Sequence, residues 1–112
     1  MSESQSIIAA ASTPVQITDS RGRSIEVLRV EGSKLSRLIR AAGDAAGNQL
    51  WMSATLTRAW VRSISGVPIP FPTTLDQLDG LWDLVDADAA QAANDYFSEH
   101  AKTETPAAAK NS

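Results

Sequence analysis

Residues 67–72 read Val-Pro-Ile-Pro-Phe-Pro. Proline has no backbone N–H and disfavours helical geometry in the residue before it, so three prolines at alternate positions forbid a helix across the segment. The chain must therefore be built in two blocks joined by a short, stiff, extended arm of polyproline II type. Val67, Ile69 and Phe71 alternate with the prolines and can all point to one side of that arm.

Upstream of the arm, Val15 and Ile17 alternate with polar residues, as do Ile25 and Val27, and Asp19-Ser20-Arg21-Gly22 between them supplies turn chemistry. This pattern predicts a β-hairpin. An isolated hairpin is marginal in water, so another element must cover it. Ser33 then caps an expected helix over Lys34–Ala42, with Leu35, Leu38, Ile39 and Ala42 on one stripe. A second helix is expected from about Gln49 to Ile64, with Met52, Leu56, Ala59, Trp60 and Ile64 facing the core. The β-branched run at Val61–Ile64 leaves an extended ending open, and Gly66 stops the element in either case.

Downstream, Thr74-x-x-Gln77 matches a capping box and starts a helix whose apolar stripe is Leu75, Leu78, Leu81, Trp82 and Val85. Gly80 sits mid-helix, a costly place that suggests close packing there. A last helix follows from about Ala87 to Ala101, capped by Asp86 or Asp88, with Ala89, Ala93 and Tyr96 or Phe97 inward. The expected architecture is α+β: an N-terminal β-hairpin followed by a bundle of about four short helices. One domain spans 14–101. The Ser/Ala/Gln-rich segment 1–13 and the proline-broken tail 102–112 are expected to be disordered.

The composition removes several function classes. The 112 residues include no cysteine, which excludes disulfides, thiolate metal sites and cysteine nucleophiles. No apolar run approaches the roughly 20 residues of a membrane span, and no basic segment precedes a long apolar stretch, so neither membrane insertion nor a signal peptide is expected. Charge is segregated. Ser20–Ser65 carries eight basic residues against three acidic, whereas Gly66–Ala101 carries seven acidic residues and no Lys or Arg. Such a dipole along the chain favours self-association of basic half to acidic half.

No constellation supports catalysis, a metal or a cofactor. Asp76, Asp79 and Asp83 recur at helical spacing as a solvated face, without a loop of the kind calcium needs. His100 is the only histidine, and no serine stands near it in a nucleophile elbow. Arg21, Arg23, Lys34, Arg37 and Arg40 have no aromatic residues interleaved, so nucleic acid is not the expected partner. Tryptophan and arginine are enriched at protein interfaces, and Trp51, Arg58 and Arg62 lie on neighbouring parts of one expected helix. Trp60 and Trp82 lie on apolar stripes and read first as core. The expected partner-binding residues are thus Trp51, Arg58, Arg62, Val67, Ile69 and Phe71.

The order of elements, the step Ser63-Ile64-Ser65-Gly66, the proline segment Val67–Pro72 and the helix Leu75-Asp76-Gln77-Leu78-Asp79-Gly80-Leu81 together resemble the tail assembly chaperones of long-tailed bacteriophages. The resemblance covers roughly Val15 to Phe97. It implies a non-enzymatic protein of the bacterial host cytoplasm that coats the tape measure protein before the tail tube polymerises and helps recruit the tail-tube protein. Many such chaperones are made in two lengths by ribosomal frameshifting. Ala109-Lys110-Asn111 is compatible with the codons GCA AAA AAC, which hold a slippery heptamer. The competing readings are a small phage or bacterial adaptor or anti-defence regulator, acting by protein–protein binding, and a small nucleic-acid-binding protein.

Overall fold

A computed structural model describes the backbone of residues 13–111 and the side chains of residues 13–100. Residues 1–12 and the side chains of 101–112, where the two disordered ends are expected, lie outside the described residues.

The fold is α+β: among the described residues, a four-stranded antiparallel sheet and four α-helices. Strands β1 (Val15–Thr18) and β2 (Ser24–Val27) form the expected hairpin, with Val15 opposite Val27 and Ile17 opposite Ile25. Helix α1 (Gly32–Ala42), a 3₁₀ turn (Gly43–Gly47) and helix α2 (Gln49–Ala59) follow. The chain then returns to the sheet as β3 (Val61–Ile64) and β4 (Val67–Pro68), giving the order β1-β2-β3-β4. Helices α3 (Leu75–Leu84) and α4 (Ala87–Asn111) close the core.

The principal departure from expectation is at Val61–Ile64, which is a strand and not the end of α2. Val61 pairs with Val27 and Ile64 with Ile25, and the register shifts between them because β3 carries one extra residue. A β-bulge of this kind turns a three-residue spacing into two side chains on one face. Val61 and Ile64 thus look helical in sequence while both serve the sheet. Gly66 does not simply stop an element. Ser65 and Gly66 have φ of 51° and 81°, and Ile64 pairs directly with Val67, so the two residues form the tight turn of a second hairpin. Asparagine tolerates the left-handed region better than serine. Ser65→Asn should therefore raise stability by about 0.5 kcal/mol, read as a higher urea midpoint at unchanged slope.

Of the three side-chain caps expected from the sequence, two form. Thr74 Oγ1 accepts from Gln77 N at 3.2 Å, while Gln77 Oε1 accepts from Thr73 N at 2.8 Å, one residue earlier than a capping box predicts. Asp86 Oδ1 accepts from Ala89 N at 3.0 Å and caps α4. Ser33 does not cap α1: the helix begins at Gly32 behind an extended Glu31. Ile25, Val27, Leu38, Val61, Leu78, Leu81 and Val85 are the large buried apolar side chains between sheet and helices. Ala89, Ala90 and Ala93 are also buried, and their small size lets α4 approach α2, β1 and β3 closely. Both Tyr96 and Phe97 pack partly buried against this core.

Candidate partner-binding groove

The turn of the first hairpin is tied to the α3–α4 corner by ions. The buried Asp19 carboxylate accepts from the backbone N–H of Arg21 and Arg23, at 3.0 and 2.9 Å, and pairs with the Arg23 guanidinium at 2.7 Å. The same guanidinium reaches Asp86 Oδ1 at 2.8 Å. Hydrogen bonding from Arg23, then from the Ala89 N–H, holds the Asp86 carboxyl down to about 2. Burial alone would raise Asp19, but its bonds to Arg23 and Arg21 outweigh that and lower it. Carboxyls depressed on folding add stability that is complete above their unfolded pKa of about 4 and is lost as the pH falls through their folded values. Unfolding midpoints should therefore drop between about pH 4 and pH 2. Asp86 is 41% exposed, so after solvent screening its share is ~1 kcal/mol. Asp86→Asn keeps a capping side chain and should flatten that acid slope in urea titrations at a series of pH values.

The proline arm runs beside α3 and leaves a groove between them. Pro70, Phe71, Pro72 and Thr73 form one wall; Asp76, Gln77, Gly80, Leu81 and Leu84 form the other. Its volume is about 530 Å³. The Phe71 ring is flanked by two cations, with Arg62 at 5.4 Å and Lys34 at 5.7 Å from its centroid. Gly80 does not mark close packing. A Cβ placed on it would meet nothing within 4 Å, so the glycine faces the open groove. Leu84, 53% exposed, lies one turn further along the same wall.

The six residues expected to bind a partner separate into two groups. Phe71 lines the groove and Arg62 stacks on it, while Val67 stands 63% exposed on the edge strand β4. Ile69 is only 6% exposed and belongs to the core: its N–H still pairs with Arg62 O at 2.8 Å, so the chain stays beside β3 past the end of β4 and brings this side chain under the fold. Trp51 is half-buried against the core beside the Asn48 cap of α2. Arg58 is engaged within the fold: it donates to Val85 O and Ala54 O, both at 3.1 Å, and covers the Trp82 ring at 4.1 Å. Burial lowers its pKa from the ordinary value, opposed by the charge of Asp86.

Other features turned out differently from the sequence pattern. Trp82 is 39% exposed, with its Nε1 donating to the buried Thr55 Oγ1 at 3.0 Å. Trp60 packs edge-on against Phe97 at 5.1 Å, and its buried Nε1 has no hydrogen-bond partner among the described residues. The sequence pattern missed the whole α3 wall of the groove, Asp76, Gln77, Gly80, Leu81 and Leu84, and the one sequence sign of it was a glycine at a position that penalises it. A second groove, between β1 and α4, is lined by polar and acidic side chains including Asp88, Asp95 and Glu99. Among the described residues no group of three His, Cys, Asp or Glu is placed to hold a metal ion, and no helix is long and apolar enough to cross a membrane.

No family model, no curated protein and no solved structure matches this chain. What the groove accepts is therefore read from its own chemistry. It is open, walled by leucine, proline and phenylalanine, and rimmed by Asp76 and Gln77. Such a trough suits the apolar edge of an extended or helical segment, with polar groups at the rim fixing its orientation.

Proposed function

We propose that this chain is a non-enzymatic binding module that holds an apolar helical segment of another protein. In the fullest form of this reading it is a tail assembly chaperone of a long-tailed bacteriophage, acting in the host cytoplasm with the tape measure protein as client. The observation that carries the binding reading is Gly80. A mid-helix glycine costs about 1 kcal/mol relative to alanine. Among the described residues nothing occupies the space it leaves. The missing side chain deepens the trough between α3 and the proline arm. Exposed Leu84 and half-buried Phe71 on either side of it support the same reading. The tail-chaperone form is supported by the sequence resemblance around Ser63–Gly66 and Leu75–Leu81.

Gly80→Ala separates fold from function. It should raise stability by about 0.5–1 kcal/mol and weaken client binding, because the methyl group fills the trough. The test begins with the nucleotide sequence of codons 109–112 and of the region beyond; if a large helical reading frame follows, titration calorimetry with helical peptides from it measures the binding. Leu84→Asp should cost at least about tenfold in affinity without changing the thermal midpoint. Peptides that bind wild type and Leu84→Asp equally would remove the groove from the reading. A neighbouring gene of unrelated character, with no binding to its product, would remove the tail chaperone.

A further inference from the structure

The outward side of α3 away from the groove is a second surface. Leu75, Asp79 and Trp82 recur at i, i+4 and i+7, so they share one stripe, and Asp83 stands beside it. Leu75 is 41% exposed and Trp82 39%, an apolar pair bracketing an aspartate. Among the described residues, Asp79 and Asp83 make no ion pair and no side-chain hydrogen bond. Helix α1 carries the opposite chemistry. Its solvent side holds Ser36, Arg37 and Arg40, and the two arginines are also without ion partners among the described residues. Within one molecule α1 and α3 pack against each other through their buried sides, so these two outer faces cannot meet.

We propose that the two faces meet between molecules: the Arg37/Arg40 face of α1 docks on the Leu75/Asp79/Trp82/Asp83 face of α3 in a second copy of this chain. The two faces carry complementary charge on matching frames. Arg37 and Arg40 are spaced i, i+3, Asp79 and Asp83 i, i+4, both on single exposed helices where neighbouring ridges interdigitate. The donor and acceptor faces are different surfaces of one copy, so the contact is heterologous. Each added copy leaves one free face of each kind, and the association propagates head to tail. The groove of Phe71, Gly80 and Leu84 lies on the other side of α3 and stays open along the row. This inference does not rest on what the groove binds.

Sedimentation velocity of the full chain over a micromolar to millimolar concentration series tests it. At ionic strengths of about 0.01 M and about 1 M the Debye length is roughly 30 Å and 3 Å. The dissociation constant for self-association should weaken at least about tenfold between the two. Arg37→Glu with Arg40→Glu makes one variant; Asp79→Lys with Asp83→Lys makes the other. The altered side chains are exposed and unpaired, so circular dichroism and melting should match wild type. Each variant alone should stay monomeric, because both of its faces then carry the same sign. An equimolar mixture should associate again, since each α1 face then finds an α3 face of opposite sign. A wild type that stays monomeric at low salt, association indifferent to salt, self-association of either variant alone, or a mixture that stays monomeric overturns the proposal. Loss of peptide binding in the Leu84→Asp variant with self-association intact shows the groove and the row to be separate.

Discussion

Leu78→Ala should lower the unfolding free energy by about 2–5 kcal/mol. Leu78 is fully buried on α3, in a helix that packs against both α1 and α2. Truncation removes its transfer free energy and leaves a cavity, and two rigid helices meeting there have little freedom to collapse into it. A domain of this size has a total margin of about 5–15 kcal/mol, so the variant should melt at least about 10 °C lower and lose most of its plateau before the urea transition. Leu84→Ala is the matched control. It deletes the same atoms on the same helix from a side chain 53% exposed in the groove, and should shift stability by no more than about 0.5 kcal/mol. Equal losses in the two variants would mean that the groove is closed by the fold itself, and the binding reading would lose its site.

The contrast between these two leucines shows what was legible in the sequence. Strict alternation over Val15–Ile17 and Ile25–Val27 gave a hairpin because a strand exposes alternate residues whatever it packs against. Thr74 and Asp86 were readable as caps because an N-cap needs only its own helix. Elements whose identity depends on a distant partner were not readable in this way. Val61–Ile64 is drawn into a strand by β2, more than thirty residues earlier, with a bulge that hides its period. On α3 the apolar stripe is wider than the neighbours that cover it, so Leu78 and Leu81 are buried while Leu75 and Trp82 are left at the surface. The site was legible by half. The prolines announced an exposed arm and placed Phe71 on it, but the opposite wall exists only where that arm comes to lie beside Gly80 and Leu84. Ile69 obeyed the same alternation as Val67 and Phe71, yet continued pairing with β3 carried it into the core.

Arg58→Ala should cost about 2–3 kcal/mol, the second largest loss expected of a single change, although the sequence pattern places this arginine among the partner contacts. Its guanidinium bridges two elements. It donates to Val85 O at the end of α3 and to Ala54 O within α2, and its plane lies 4.1 Å from the Trp82 centroid. Val85 is fully buried, so removing the donor leaves a carbonyl with a lost charge-assisted bond at the α3–α4 corner. The exposed face of Trp82 loses its cation at the same time. Arg58→Lys keeps the charge but not the fork that serves two carbonyls, and should recover less than half of the loss. A double-mutant cycle with Trp82→Leu should return about 1 kcal/mol of coupling for the stacked pair. Peptide binding to the folded fraction of Arg58→Ala should equal wild type, because the residue faces away from the groove walls. If that variant instead melts with wild type and loses affinity for the peptide, Arg58 serves the partner and not the corner, and the binding surface extends across α2.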